Sequence, residues 1–311
     1  MNQMNELFHG ALRVEKTAEG YAPYRFTPAG ITRWGERRSG WLIRSSCTSS
    51  VSLAFFTDSD KISLSFSVSN FSRPFVGFDV YENDSYTRHF DFEDNCTGGT
   101  LEYVCRNAGE KKIEIFLSCL NQIVISSLHA ENIRPVPQNP HRLLFLGDSI
   151  TQGMTAKCPS LIYPTLYARK RGMQAVNLGV GGAKYEDWQL DDFPDYGAEE
   201  VFLAYGINDL CSNPDTPHLL SCAESYLQKV AALFPTQPKT VLTPIWNRAI
   251  DEDEGFAPRF RTYSDELTAI AKGLGYRVID GLTVFPNDRR FTFDGTHPTD
   301  EGFAYLALSL L

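Results

Sequence analysis

Apolar and polar positions change their rhythm near residue 135. Ahead of that point, short runs rich in β-branched and aromatic residues recur between turn formers. Examples are Trp41–Ser45, Val51–Phe56, Ile62–Val68 and Ile113–Leu117. In one run Ile62, Leu64, Phe66 and Val68 alternate with Ser63, Ser65 and Ser67. A period of two with one polar face predicts a half-buried antiparallel strand. No amphipathic helix is expected in this half. Residues 1–134 therefore read as an N-terminal all-β, jelly-roll-like sandwich domain, with its strands from about residue 8 onward. Pro135, Pro137 and Pro140 then predict a stiff connector over residues 135–140, neither sheet nor helix.

Residues 141–311 follow another pattern. Leu143–Gly147, Ala175–Gly179, Val201–Gly206, Thr240–Ile245 and Arg277–Asp280 are short apolar runs, several of them closing on turn residues. Helical stripes lie between them. Phe260, Tyr263, Leu267, Ile270, Ala271 and Leu274 keep 3-and-4 spacing until Gly275 stops the helix. Leu219–Phe234 and Phe303–Leu310 carry similar stripes. Alternation of this kind predicts an α/β domain, a parallel sheet with helices on both faces. Such sheets place their chemistry at the carboxyl ends of the strands.

Candidate chemistry sits at those ends. Gly147-Asp148-Ser149 closes the first run, where a sharp turn exposes Ser149 as a nucleophile. A serine needs a base, and the base an orienting partner. Asp294-Gly-Thr-His297 supplies both: a carboxylate three residues before a histidine can accept from Nδ1–H and leave Nε2 to take the serine proton. Asn177–Gly182 follows the second run, and Gly206-Ile-Asn208-Asp209 the third. The Ser149 N–H, the Gly182 N–H and the Asn208 carboxamide are the candidate oxyanion donors. Asp148 is expected to organise its turn, and Asp294 rather than Asp209 to orient the histidine. Trp246 and Asn247 close the fourth run and are candidate substrate-binding residues; an indole there could stack on a sugar, wall an acyl pocket or belong to the core.

In this combination the chain resembles the SGNH or GDSL hydrolases. The blocks Gly147-Asp148-Ser149, Gly182, Gly206-x-Asn208-Asp209 and Asp294-x-x-His297 occur in the family's order over residues 141–311. The resemblance implies a flavodoxin-like SGNH domain and acyl transfer through an acyl-Ser149 intermediate, with no metal or organic cofactor. Gly77-Phe-Asp79-Val80-Tyr81 is similar to the Gly-x-Asp-Leu-Tyr signature of a β-sandwich that precedes one SGNH branch, with Val80 in place of leucine. That branch includes bacterial esterases and an acyl transferase that decorates a polyketide, while carbohydrate deacetylases of a neighbouring branch share the two-domain plan. The resemblance thus implies a serine esterase of small O-acyl esters, acetylated carbohydrate foremost. The alternatives are a transferase to a bound alcohol and a non-catalytic carbohydrate-binding scaffold, against which the intact blocks speak. Asp79 and Tyr81 are expected to hold the sandwich or its interface together.

Composition narrows the partners. A net charge of -9 opposes nucleic acid or an anionic membrane as the main partner, and Arg33, Arg37 and Arg38 read as solvated surface. The acidic run Asp251–Glu254 also reads as solvated. No stretch approaches the roughly 18 apolar residues of a membrane span, and the first residues lack the pattern of a secretory signal. Seven cysteines without paired spacing fit neither a disulfide framework nor a zinc site. The Gly179–Gly182 cluster lacks the spacing of a dinucleotide loop, and no P-loop motif occurs. These features predict a cytoplasmic protein acting on a small-molecule or oligosaccharide ester, with a homo-oligomer left open.

Overall fold

A computed structural model describes residues 3–311. The first half forms two antiparallel sheets. One orders β1 (Phe8–His9), β4 (Ser52–Thr57), β9 (Lys111–Phe116), β6 (Val76–Glu82) and β7 (Ser85–Phe92), with β11 (Arg134–Pro135) also paired to β4. The other orders β2 (Arg13–Lys16), β3 (Tyr21–Tyr24), β10 (Asn121–His129), β5 (Lys61–Phe71) and β8 (Gly98–Val104). The alternation read in β5 is the observed one: Ile62, Leu64, Phe66 and Val68 are buried against Phe78, Val80, Ile113 and Ile115 of the opposing sheet. Burial of these facing sides from water holds the two sheets together.

Three expectations for this half fail: the strand at Trp41–Ser45, the absence of an amphipathic helix, and the start of the connector outside any sheet. Trp41–Ser45 is not a strand: Pro28–Arg37 (α1) and Ser39–Ser46 (α2) are helices. A run of five residues does not reveal its period; α2 follows Arg38 without a side-chain cap, whereas α1 carries a start signal at Thr27-Pro28. The Thr27 hydroxyl accepts from the Gly30 N–H, and Pro28 occupies the first turn, where no N–H is needed. Trp34 and Trp41 from these helices pack edge-on at 5.3 Å and lie in the core of the second half, not of the sandwich. The proline segment also begins inside a sheet. Pro135 pairs with Phe55 at the sheet margin, a place open to a residue without an N–H.

The second half is a five-stranded parallel sheet: β12 (Arg142–Gly147), β13 (Gln174–Asn177), β14 (Glu200–Ala204), β15 (Lys239–Leu242) and β16 (Arg277–Ile279). Its order is β13-β12-β14-β15-β16, the flavodoxin-like 2-1-3-4-5, with helices between strands. The stripe of Phe260, Tyr263, Leu267 and Ala271 is the buried face of the helix Phe256–Gly273.

Strand β6 joins the halves. Val76, Phe78 and Val80 point into the sandwich core, so period two turns Gly77, Asp79 and Tyr81 the other way, toward residues 157–160 of the second half. Asp79 is fully buried; Oδ2 accepts from the Ser160 N–H at 2.8 Å and Oδ1 bonds His89 Nδ1 at 2.8 Å. The Tyr81 hydroxyl meets Ser160 Oγ at 3.3 Å. At Gly77 a Cβ would lie 2.3 Å from the Lys157 carbonyl, so only glycine lets the backbones approach. No helix among the described residues is long and apolar enough to cross a membrane.

Candidate active site

Ser149 opens a one-turn helix, α3 (Ser149–Gln152), immediately beyond β12. Gly147 makes the tight exit possible, and the Asp148 carboxylate caps α3 by accepting from the Ile150 N–H at 2.9 Å. From the last loop His297 reaches Ser149: Nε2 lies 2.9 Å from Oγ, and Nδ1 lies 2.7 Å from Asp294 Oδ2. The other Asp294 oxygen accepts from the N–H groups of Thr296 and His297 at 3.0 and 2.9 Å. Partial burial works against ionisation of Asp294, but hydrogen bonds from His297 and Thr296 outweigh it and hold the carboxyl below its ordinary range. With Nδ1–H donated to that carboxylate, Nε2 is the bare nitrogen that faces the serine hydroxyl.

Of the three candidate oxyanion donors, the Asn208 amide contacts Asp148, which precedes Ser149, and Ala183, which follows Gly182. Neither the Ser149 nor the Gly182 N–H has an acceptor among the described residues. Gly182 stands at φ +87, which glycine tolerates and other residues resist. The Asn208 amide donates weakly to Asp148 Oδ2 at 3.3 Å and to the Ala183 carbonyl at 3.1 Å. Asp148 and Asp209 lie buried beneath. Burial, opposed by the Ile150 N–H and reinforced by Asp209, pushes Asp148 up to about 7; burial, opposed by the Tyr185 N–H, pushes Asp209 up to about 6. Asp209 makes no contact with His297; it accepts from the Tyr185 N–H through one oxygen and leaves the other unpartnered.

Sequence reasoning missed what holds the Asn177–Gly182 loop, because the donors come from the first half. Arg25 is fully buried, and its guanidinium donates to the carbonyls of Asn177 at 2.7 Å and Gly179 at 3.0 Å, and to those of Cys47 and Arg44. Burial lowers it to about 10, so it stays charged at neutral pH without a carboxylate partner among the described residues. Trp41 Nε1 donates to the Gly181 carbonyl at 3.0 Å, and Arg44 donates to the same oxygen. Gln152 closes the ring by accepting from the Gly181 N–H at 2.7 Å. Thr155, at φ +77, was also missed; its hydroxyl donates to the Pro298 carbonyl at 2.9 Å, beside His297.

Of the alternatives open for Trp246, the structure favours the core, and Asn247 is buried beside it. Trp246 is only 2 % exposed and its indole N–H donates to Asp251, so its ring presents no face for stacking. Asn247 is also buried; it donates to Thr296 Oγ1 at 2.8 Å and accepts from the Ala249 N–H, bracing the Asp294–His297 loop. All seven cysteines are free. One trio among the described residues, Asp79, His89 and Cys158, has potential ligand atoms within 4.8 Å of one another, but both Asp79 oxygens are already engaged at the domain interface.

A serine at the first strand end, facing a histidine and a carboxylate from the last loop of a flavodoxin-like 2-1-3-4-5 sheet, is the arrangement of an SGNH-type hydrolase. The chain belongs to the GDSL-like lipase/acylhydrolase family, whose model matches residues 145–305. No curated protein sequence matches it. Among solved structures it is similar to the salicylyl-acyltransferase SsfX3 from a tetracycline biosynthetic pathway, with 19% identity, 97% of this chain and 92% of that one covered, and a TM-score of 0.81. A family two carbohydrate esterase from Cellvibrio japonicus covers 99% and 94% at 16% identity and a TM-score of 0.67. Another, from Clostridium thermocellum in complex with cellohexaose, covers 84% and 89% at 15% identity and a TM-score of 0.60. These likenesses extend over both halves of the chain, so the sandwich-plus-sheet architecture is shared.

Proposed function

We propose that the protein is a serine esterase that cleaves small O-acyl esters through a covalent acyl-Ser149 intermediate. The observation that carries this reading is the unbroken relay from Ser149 Oγ through His297 to Asp294, with bonds of 2.9 and 2.7 Å. His297 takes the serine proton as Oγ attacks the ester carbonyl, then returns it to the departing alcohol. Asp294 holds the imidazole in the tautomer that leaves Nε2 free and stabilises the imidazolium. The N–H groups of Ser149 and Gly182 and the Asn208 amide receive the oxyanion. A water, deprotonated by the same histidine, then releases the acid. An acetylated carbohydrate is the first substrate to try, on the likeness to carbohydrate esterases.

An acyl transferase forms the same acyl-enzyme and differs only in what attacks it, and the likeness to an acyltransferase favours testing that branch as well. Rates on a series of p-nitrophenyl esters, for wild type and Ser149→Ala, test the serine mechanism. Wild type is expected to release nitrophenol and the variant to lose at least about a thousandfold in kcat; equal rates would remove Ser149 from the chemistry. Added alcohols that form new esters at the expense of free acid would assign the transferase branch.

A further inference from the structure

The sandwich half brings unpaired positive charge to the mouth of this site. Arg44, on α2, is half-buried and spends one side-chain donor on the Gly181 carbonyl. A Cβ placed on Gly182 would sit 3.2 Å from Arg44 Nη1, so the guanidinium flanks the glycine whose N–H faces the oxyanion. Arg73, on the loop leading into β6, lies close enough that its charge, after burial, helps to lower Arg44; Arg38 adds to the effect. None of the three has a carboxylate within ion-pairing distance among the described residues, although the chain carries nine more acidic than basic side chains. Two residues past Arg73, Phe75 packs against Phe293 of the Asp294–His297 loop at 6.1 Å. The Arg73–Phe75 segment therefore lies beside the loop that carries Asp294 and His297.

Like charges held together without a counter-ion repel one another, and an anion placed among them relieves that cost. A guanidinium with free donors at the rim of a pocket is suited to a carboxylate, a phosphate or a sulfate. Resting on the esterase reading above, we propose that Arg44 and Arg73 are specificity-determining residues that select esters bearing an anionic group, on either the acyl or the alcohol side. The buried Arg25 adds its charge to the same region without reaching the substrate.

Matched ester pairs test this. 4-Nitrophenyl acetate against mono-4-nitrophenyl succinate places the carboxylate on the acyl side. Phenyl acetate against 3-carboxyphenyl acetate places it on the alcohol side. Wild type is expected to favour the anionic member of one pair in kcat/KM by about tenfold or more, with the preference shrinking as salt is raised. Arg73→Gln should cut the anionic-to-neutral ratio by about tenfold, chiefly through KM, and Arg73→Lys should restore part of it. Arg44→Gln should reduce the ratio too, and its loss of the Gly181 contact is read separately in kcat for the neutral ester. No preference in either pair, or an unchanged ratio in both glutamine variants, would overturn the proposal while leaving the esterase intact. Absence of any Ser149-dependent hydrolysis, neutral esters included, would overturn the esterase reading and this one with it.

Discussion

At the scale of the residue, Asn208 and Asp209 are neighbours with separable duties. The Asn208 amide donates to Ala183 at 3.1 Å and to Asp148 at a longer 3.3 Å, and an oxyanion would compete for that longer bond as charge develops there. Asn208→Ala is expected to lower kcat by about 10²–10³-fold with little change in KM; a change below about threefold would remove it from the oxyanion hole. Asp209 acts through its burial. Its folded value of about 6 lies above the ordinary 3.8, so between those values the folded protein holds a proton that the unfolded chain has released. Stability from this group is full below the lower value and is lost as pH rises through the upper one. Asp148, at about 7, pulls in the same direction. Because the second Asp209 oxygen has no partner, Asp209→Asn removes the buried charge and keeps the Tyr185 bond. The fall in Tm from about pH 5 to about pH 8 should be shallower in that variant; the same slope in both proteins would contradict the assignment.

At the scale of the element, the legible features were those written as a period or as a block at a strand end. The alternation in β5, the stripe in Phe256–Gly273 and the serine and histidine turns were all readable, because each depends on neighbours in the chain. The clamp on the Asn177–Gly182 loop was not. Arg25 reaches carbonyls 152 and 154 positions away, and a backbone carbonyl leaves no trace in the identity of the residue that bears it. Trp41 was misread for a related reason, since a run as short as Trp41–Ser45 fits strand or helix equally. Trp246 and Asn247 sit at the expected strand end but turn inward, which position alone does not reveal. The β6 signature was legible in its residues, and its alternation now gives the reason for them. Asp79→Ala would strip the Ser160 N–H and His89 of their acceptor at the interface. It is expected to cost about 2 kcal/mol in urea unfolding; a cost near zero would show that the contact is dispensable.

At the scale of the whole molecule, the two halves share one site. The parallel sheet supplies Ser149, Asn208, Asp294 and His297, and the first half supplies Arg25, Trp41 and Arg44 to the loop that carries Gly182. Trp34 and Trp41 in the core of the second half make that dependence one of packing as well as of hydrogen bonding. The first half thus holds the Gly182 loop from one side, and its signature strand adds a second contact at residues 157–160. Acid-quenched mass spectrometry of the protein after brief exposure to 4-nitrophenyl acetate reads the covalent intermediate on Ser149 itself. One acetyl group is expected on the peptide that contains Ser149, absent from Ser149→Ala. An acetyl group on another residue, or hydrolysis by the alanine variant at the wild-type rate, would contradict the Ser149 intermediate.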